Sequence, residues 1–445
     1  MRIVYLHQYY LTPDQNGGVR SHQFATALAR RGHDVHVVSA TTPASCLVGG
    51  APGDGPGTTV VDGLTVHRLA VDYDHAMGDA RRMLAFASFA VRSMRLARRL
   101  RGDAVVASST PLTIALPGIA ATAGRRSPLV FEVRDAWPEV PIALGSLRNP
   151  LLRGAALLLE RAAYRASSTV VALSPGMADS VRRTGHPADR LEVVPNISDV
   201  DRFDPARADA EAFLSHHPDL RGRRLVVYCG TLGRANDLTR VVPVARALRD
   251  RGSDVTIVLV GTGPERGRIE AEARRAGVLG SSVVLVDPVR KADLPDVYAA
   301  SALALSCTAD VPALAANSAN KFFDALAAHR PVATTYGGWQ AEVLAETGAG
   351  FRLARDPARA AAELVAFLDD DDARTSAARA AAGRLARERY SLELLSRRFC
   401  DIVERDARAA GTTADRPTAD GPGADGPATE GPGRSVTGVR AASTP

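Results

Sequence analysis

The chain has 445 residues, of which 46% are hydrophobic and 23% charged, a composition typical of a globular protein of two or three domains. Its net charge of +6 indicates an anionic ligand or surface, while 5% aromatic residues, not interleaved with basic runs, argue against nucleic acid. No stretch approaches 18 uncharged apolar residues, and the four scattered cysteines have neither metal nor redox spacing, which argues against a membrane span, a zinc site and a catalytic thiol.

Short β-branched segments alternate with helical patterns through the first half of the chain. Strands are predicted at 3–7, 35–39, 65–69, 104–108, 129–133, 169–173 and 191–194, and helices at 21–31, 80–101, 112–123, 149–166 and 175–184. Such alternation is typical of a parallel, doubly wound sheet with helices on both faces.

The same alternation starts again after a polar stretch at 196–222. Strands are predicted at 225–229, 256–260, 283–286, 302–307 and 332–335, and helices at 238–251, 265–275, 294–299, 318–328 and 358–368. The sequence therefore predicts an α/β protein with two Rossmann-like domains, at 1–200 and 201–385. A helix at 386–409 could pack back on the first domain, and the Gly- and Pro-rich segment 410–445 is predicted to be a disordered tail. Ligands of such sheets bind beyond the carboxyl ends of the strands, here in the cleft between the two domains.

The segment from Asn317 to Val332 is the strongest candidate for a ligand site. It follows an apolar strand and opens a helix, with Ser318 as the predicted N-cap. Lys321 and Asp324 are three residues apart, so both side chains project from one face near the helix start. The helix N-terminus and the lysine suit a phosphate, and the carboxylate can accept hydrogen bonds from two sugar hydroxyls. These groups together predict a nucleotide site; the alternative is a surface Lys–Asp pair on an ordinary helix.

Three glycine-containing loops follow predicted strands, where backbone N–H groups can approach a ligand closely. Their candidate residues are Gly17 and Gly18 in the first loop, Gly230, Thr231 and Arg234 in the second, and Gly263 in the third. A plain strand-to-helix turn remains the alternative for each loop. The first loop lacks the G-x-G-x-x-G spacing, so a nicotinamide or flavin dinucleotide site is poorly supported.

Charged residues also crowd the end of the strand predicted at 129–133. Asp135 could hydrogen-bond a sugar hydroxyl or stabilise positive charge that develops at a sugar carbon, and Arg134 could bind phosphate. A local ion pair between these two side chains is the alternative. Their position at the carboxyl end of a strand favours the functional interpretation.

In this order and spacing, the loops resemble those of the retaining GT-B glycosyltransferases of family 4. Within that family the chain looks most like bacterial surface-polysaccharide transferases of the fucosamine or N-acetylhexosamine type, over about residues 1–405. The segments that carry the resemblance are Gly17-Gly18-Val19-Arg20, Arg134-Asp135-Ala136-Trp137-Pro138, Val194-Pro195-Asn196-Ile197, Gly230-Thr231-Leu232-Gly233, Gly261-Thr262-Gly263-Pro264 and Asn320-Lys321-Phe322-Phe323-Asp324-Ala325-Leu326-Ala327.

The resemblance implies a GT-B fold and a role for each candidate residue. Asp135 would be the catalytic residue near the reacting sugar carbon, Lys321 would contact the pyrophosphate, and Asp324 would hold the ribose. Further donor contacts are expected from Gly17, Gly18, Gly230, Thr231, Arg234, Gly263, Asn317 and Ser318, and acceptor or phosphate contacts from Arg20 and Arg134. The family needs neither a cofactor nor a metal, because basic side chains and helix ends carry the phosphate charge, and it needs no enzyme nucleophile.

Several positions depart from the family pattern. Thr231 and Asn236 stand where the family often has Arg and Lys, and Ala316 stands at the first acid of its Glu-x7-Glu element. The last acid of that element is the shorter Asp324, and His329 replaces a common glycine. Beside hexosyl transfer from a nucleotide donor, most simply UDP, two alternatives therefore stay open: a non-catalytic partner that binds sugar nucleotides, and a sugar-nucleotide 2-epimerase.

The helix predicted from Ala80 to Arg101 interleaves apolar residues with seven arginines. Such a basic amphipathic helix can lie on anionic lipid, or it can pack on a sheet with its basic face in solvent. A lipid-linked acceptor would make membrane binding useful; a small-molecule acceptor is the alternative. We expect a cytoplasmic enzyme of polysaccharide or glycoconjugate biosynthesis that could bind the inner face of the cell membrane.

Overall fold

A computed structural model describes residues 1–15, 17–41, 55–71, 77–369 and 372–412. The first unit contains an eight-stranded sheet in the order β3-β4-β2-β1-β5-β6-β7-β8, parallel except for the antiparallel pair β3–β4. Its strands are β1 Arg2–Leu6, β2 Asp34–Ala40, β3 Gly57–Val61, β4 Leu64–Leu69, β5 Ala104–Ser108, β6 Leu129–Val133, β7 Thr169–Ala172 and β8 Leu191–Val193.

Helices cover both faces of this first sheet. They are α1 Arg20–Arg30, α2 Asp79–Leu100, α3 Ala115–Thr122, α4 Glu139–Ala143, α5 Pro150–Ala166 and α6 Pro175–Arg183. Successive side chains of a strand point to opposite faces, so alternate residues of β1 enter different cores. Val4 and Leu6 pack with side chains of α2, α3 and α5, whereas Ile3 and Tyr5 pack with α1.

The second unit contains a six-stranded parallel sheet in the order β11-β10-β9-β12-β13-β14. Its strands are β9 Arg224–Cys229, β10 Val255–Val260, β11 Val283–Val286, β12 Leu303–Ser306, β13 Val332–Thr334 and β14 Gly350–Arg352. The remaining helices are α7 Ala210–His216, α8 Val241–Asp250, α9 Arg266–Arg275, α10 Leu294–Ala299, α11 Asn320–Ala327, α12 Trp339–Thr347, α13 Pro357–Asp369, α14 Asp372–Arg389 and α15 Leu392–Thr412. The prediction of two Rossmann-like units is confirmed. The sequence did not predict six of the observed elements, β3, β14, α4, α7, α12 and the separate α14.

The C-terminal helix α15 crosses back and packs on α1 of the first unit. The ring of Phe399 stacks on that of Phe24 with 4.5 Å between centroids, and Arg31 pairs with Asp401 at 2.6 Å. The same buried cluster continues through α14 into α11, so one apolar core joins the two sheets. Beyond Thr412, the segment predicted to be a tail lies outside the described residues.

Candidate active site

Each sheet has one point where the strand order reverses, between β1 and β5 in the first unit and between β9 and β12 in the second. Loops that leave neighbouring strands in opposite directions open a crevice at the carboxyl edge of such a sheet. The candidate residues follow β1 and β6 in one unit and β9, β10 and β12 in the other. The topology therefore places them at two crevices, and contacts across the cleft bring the two crevices together.

Lys321 lies in the first turn of α11, and its ammonium group is held by the second unit. Nζ donates to Oδ1 of Asn236 at 3.1 Å and lies 4.7 Å from the ring centre of Tyr228. The Nδ2 group of Asn236 donates in turn to the carbonyl of Thr231 at 2.9 Å, which fixes the amide. Burial lowers the pKa of Lys321 to about 8, against a small opposing effect of two cysteine thiols. The side chain is thus a positioned, partly desolvated cation.

Asp324 lies one turn further along α11 and presents a carboxylate without a protein partner. Among the described residues, no side-chain hydrogen bond or ion pair reaches it, from Lys321 or any other group. Burial raises its pKa, Asp199 adds to this, and the cations of Lys291 and Arg202 oppose it. A partly buried carboxylate that lacks partners is costly, and a ligand that donates to it would remove that cost. The surface Lys–Asp pair considered from the sequence does not form.

Glycines in the loops after β9 and β10 allow close backbone packing. A methyl group on Gly230 would lie 3.2 Å from Cε of Lys321, and one on Gly263 would lie 2.5 Å from the carbonyl oxygen of Leu232. Both glycines have positive φ, 149° and 157°. Gly230 thus keeps backbone next to the ammonium group, whereas the packing of the two loops is sufficient to explain Gly263.

The first glycine loop meets α11 across the cleft. A methyl group on Gly18 would lie 2.7 Å from Nδ2 of Asn320 and 3.4 Å from a guanidinium nitrogen of Arg134. Nζ of Lys291 donates to the carbonyl of Gly17 at 3.3 Å. The loop after β1 therefore faces the start of α11, where Lys321 and Asp324 are found.

Arg134 and Asp135 at the end of β6 do not pair with each other. Arg134 donates to Nε2 of His7 at 2.9 Å, and the hydroxyl of Thr110 donates to the Asp135 carboxylate. Burial, with the neighbouring arginine, lowers the pKa of His7 well below its usual range, so the imidazole is neutral and can accept this hydrogen bond. Both charged side chains stay partly exposed at the cleft. The local Arg–Asp pair considered from the sequence is absent.

Arg20 was predicted to contact acceptor or phosphate, and the structure corrects this. Its guanidinium is 1% exposed and pairs at 2.6 Å with the fully buried Glu132. It also donates to the carbonyl of Val194 at 2.8 Å and to that of Pro195. Burial alone would raise the pKa of Glu132, but Arg20, Arg134 and hydrogen bonds outweigh it and lower that pKa. Arg20 therefore supports the cleft from within the core.

Ser318 does not cap α11, which begins at Asn320 with Ala319 as an N-cap that makes no side-chain hydrogen bond. Its hydroxyl accepts from the backbone N–H of Asn196 at 3.1 Å, and its carbonyl accepts from the Asn196 side chain at 2.5 Å. Ser318 is buried, so its predicted donor contact is replaced by a link between the two units. The carbonyl of Asn317 accepts from the indole of Trp339 at 3.1 Å, and its own side-chain oxygen is buried without a partner.

Two other candidate residues of the second unit, Thr231 and Arg234, are exposed beside Gly230. Within the described part of the chain Arg234 has no hydrogen-bond or ion-pair partner, so it is available to an anion. Position 316, where the resemblance places an acid, is occupied by an interface contact. The carbonyl of Ala316 accepts from the Ser174 hydroxyl at 2.5 Å, and a methyl group on Gly176 would lie 2.9 Å from its Cβ.

Sequence reasoning missed three residues that the structure brings to the cleft, Lys291, Asn320 and His7, and gave no role to Asn236. One signal was available for the lysines. The chain contains only two lysines among its 55 basic residues, Lys291 and Lys321, and both lie at this cleft. In a chain that otherwise uses arginine, these two lysines present compact ammonium groups, which act as point charges rather than as planar forks.

Solved structures with the same architecture are glycosyltransferases of the GT-B fold. HepE of Anabaena, in complex with UDP, has a TM-score of 0.67 at 17% identity, over 91% of this chain and 100% of that one. WaaG, a glycosyltransferase involved in lipopolysaccharide biosynthesis, has a TM-score of 0.64 at 17% identity, over 90% of this chain and 99% of that one. The predicted GT-B fold is confirmed.

Two family models match the two units. The glycosyl transferase 4-like domain matches residues 17–197, and the glycosyl transferases group 1 domain matches residues 223–370. The first unit therefore carries a glycosyl transferase 4-like domain and the second a glycosyl transferases group 1 domain, on the GT-B fold.

A curated relative points in the same direction. The chain is 25% identical over 224 residues to WcaI of Escherichia coli strain K12, named as a colanic acid biosynthesis glycosyl transferase. That match covers 48% of this chain and 54% of WcaI, so it spans about half the length of the relative. Separately, none of the helices within the described ranges has the length and apolar character needed to cross a membrane.

Proposed function

We propose that this glycosyltransferase moves a hexose-type sugar, with retention of anomeric configuration, from a UDP donor to an acceptor hydroxyl in surface-polysaccharide or glycoconjugate assembly. One observation carries the donor site: α11 presents a positioned ammonium, Lys321, and one turn later an unpartnered carboxylate, Asp324. UDP and UDP-glucose in HepE complexes of the same fold, and the colanic acid role in the name of WcaI, support the donor class and the pathway type.

In this proposal the pyrophosphate lies against Lys321, the Gly230 backbone and the exposed Arg234. The partly desolvated ammonium of Lys321 binds phosphate more strongly than it would in water, and the guanidinium of Arg234 can add charge-assisted hydrogen bonds. The ribose hydroxyls donate to Asp324, whose pKa is raised by burial and falls again when it receives those hydrogen bonds. In this proposal the cations of Lys321 and Arg234 balance the charge of the phosphates, and the carboxylate of Asp324 accepts hydrogen bonds from the ribose. The donor site then requires neither a metal nor a cofactor.

The transferred sugar then faces the first unit, close to Gly17, Gly18 and Asp135. The acceptor oxygen attacks the anomeric carbon from the side of the leaving group. The bond from that carbon to the phosphate oxygen breaks, its electron pair leaves with UDP, and the acceptor proton passes to the phosphate oxygen. Asp135, held by the Thr110 hydroxyl, stabilises positive charge at the sugar. Arg134 stabilises the negative charge that develops on the leaving phosphate.

A thermal-shift screen against UDP, GDP, ADP, TDP and CMP, without added metal, tests the donor site. A nucleotide at about 100 times its dissociation constant adds about 2.7 kcal/mol of stability. We expect a shift with UDP alone, followed by release of UDP from one member of a UDP-sugar panel. A shift with GDP alone would mean that the donor nucleotide is GDP rather than UDP. The absence of any shift in a folded sample would contradict the proposed donor site.

A second function, sugar-nucleotide binding without transfer, is favoured by one observation. Position 316 carries no acid, and its backbone and side chain are used by contacts to Ser174 and Gly176. If this function is correct, UDP-sugars will stabilise the chain while no UDP is released with any acceptor extract. UDP release above the background of an Asp135→Asn variant would exclude it.

A further inference from the structure

The amine of Lys321 is held in place by groups that do not hold it in its charged form. Among the described residues no carboxylate pairs with Nζ, and Asp324, one turn along α11, forms no ion pair with it. The thiols of Cys229 and Cys307 favour the ammonium only slightly, because burial raises the pKa of each thiol to about 12 and both stay neutral. Burial therefore prevails and lowers the pKa of Lys321 to about 8. A large share of the side chain is neutral amine near pH 8.

The two fixed partners of Nζ leave the lone pair of that neutral amine unused. Both partners are acceptors: Oδ1 of Asn236 takes one N–H at 3.1 Å, and the ring face of Tyr228, centred 4.7 Å away, attracts a second. The amide of Asn236 keeps this orientation because its Nδ2 donates to the carbonyl of Thr231 at 2.9 Å. Both partners belong to the body of the second unit, so the lone pair is directed away from that body and toward the cleft. An amine held in this way is a positioned nucleophile.

The loop that holds this amine also offers a cation for a phosphate. Arg234 lies two residues before Asn236, is exposed, and within the described ranges has no hydrogen-bond or ion-pair partner. Gly230, at the start of the same loop, keeps backbone beside Cε of Lys321. A guanidinium binds phosphate through paired, charge-assisted hydrogen bonds. A small phosphate ester or anhydride bound by this loop therefore lies beside a nucleophilic amine.

We propose that Lys321 is a covalent modification site for small acyl phosphates. The phosphate group binds to Arg234, and the acyl carbon lies beside Nζ. The lone pair of Nζ attacks that carbon, the bond from the carbon to the phosphate oxygen breaks, and its electron pair leaves with the phosphate. The proton lost by the amine passes to the departing phosphate, so the products are an amide and inorganic phosphate. This inference rests on the proposed function, since the same cations would hold the pyrophosphate of the donor.

Acylation changes the donor site in a defined way. An amide nitrogen carries no charge, so the pyrophosphate loses one of its two cations, and UDP affinity should fall about tenfold or more. A bound donor in turn covers Nζ, so the nucleotide and the acyl phosphate exclude each other. The modification is thus an off state of the transferase that an occupied donor site prevents.

Incubation of the full chain with acetyl phosphate at pH 8, followed by mass spectrometry of both lysines, tests the proposal. Lys291, which lies at the same cleft and donates to the carbonyl of Gly17, is the matched internal reference. A lysine of pKa about 8 has about 100 times more neutral amine at pH 8 than an ordinary lysine, and its weaker intrinsic nucleophilicity cancels about tenfold of that gain. Lys321 should therefore react about tenfold faster than Lys291, and saturating UDP should suppress its reaction.

Asn236→Asp distinguishes a positioned amine from one that is merely exposed. A carboxylate 3.1 Å from Nζ favours the ammonium, so acetylation of Lys321 at pH 8 should slow about tenfold or more while Lys291 keeps its rate. The acetyl ester of N-hydroxysuccinimide is the matched reagent, because it transfers the same acetyl group without a phosphate. It should prefer Lys321 over Lys291 less strongly than acetyl phosphate does.

Three results would overturn the modification site: Lys321 that reacts no faster than Lys291, an Asn236→Asp variant that reacts as fast as wild type, or equal preference with the two reagents. Acetylated chain that binds UDP as wild type does would contradict the off state. UDP thermal shifts on the same samples separate the two proposals. A UDP shift with slow acetylation contradicts the modification alone, whereas selective acetylation without any nucleotide shift supports the modification and contradicts the proposed function.

Discussion

Replacing Asp324 with Asn should weaken nucleotide binding and at the same time stabilise the free protein. The carboxylate is partly buried, has no partner among the described residues, and has a raised pKa because burial disfavours its charge. The amide removes an uncompensated charge at nearly constant volume. We expect a gain of about 1 kcal/mol in the free energy of unfolding at pH 7, which corresponds to about 2–4 °C in Tm for a unit of this size.

The loss in binding follows from the same carboxylate. A hydrogen bond to a charged group contributes about 1.5–3 kcal/mol, and the neutral amide keeps only a weaker acceptor for the ribose. UDP affinity should therefore fall about 10- to 100-fold. Calorimetric titration of UDP and thermal unfolding without nucleotide measure the two effects separately.

Asp219→Asn is the matched control, because this exposed carboxylate precedes β9 at the opposite edge of the sheet. It should change neither UDP affinity nor Tm. If Asp324→Asn lowers Tm and leaves affinity intact, Asp324 is a structural residue and the reasoning on the ribose contact is wrong.

Three further predictions follow from the surrounding contacts. The pKa of Lys321 is lowered to about 8, so UDP affinity should fall about tenfold per pH unit above 8. The nucleotide-free protein should gain stability between pH 8 and 10.5, because the unfolded chain keeps a proton that the folded one has lost. Titrations and melts from pH 7 to 10.5 measure both effects, and a flat affinity profile would contradict the assignment of Lys321 to the donor site. Arg20→Met leaves Glu132 buried and unpaired, which should cost about 3–5 kcal/mol in urea unfolding, and adding Glu132→Gln should recover part of it; a neutral single variant would refute the pairing argument. Gly18→Ala places a methyl group 2.7 Å from Nδ2 of Asn320, so UDP affinity should drop and recover when Asn320→Ala is added; no recovery would mean that backbone strain, not this contact, is responsible.

Strand–helix alternation was sufficient to predict both sheets, because buried parallel strands are continuous apolar runs bounded by polar loops. The sequence did not predict β3, because this strand is exposed at the edge of its sheet and has no apolar face that would create an alternating pattern. β14 has only three residues, and α14 is rich in alanine and arginine without a clear apolar stripe. Short or exposed elements are determined by tertiary pairing, which a single sequence does not display.

The sequence located the candidate donor site most readily where one local segment carries its residues. Lys321 and Asp324 are neighbours on one helix, so their spacing alone placed them together. Arg20 was assigned wrongly because the sequence cannot say whether an arginine after a glycine pair turns outward or meets the buried Glu132, 112 residues away. The link between Asn236 and Lys321 spans 85 residues and is likewise invisible before folding.

Amine acetylation followed by mass spectrometry tests the donor site most directly. The chain has two lysines, both at the cleft, and the exposed N-terminal amine of Met1 serves as an internal reference. Near pH 8, where Lys321 is partly deprotonated, saturating UDP should slow acetylation of Lys321 about tenfold or more and leave Met1 unchanged. If UDP raises Tm but leaves the acetylation rate of Lys321 unchanged, the nucleotide binds elsewhere, and the proposed donor site is wrong.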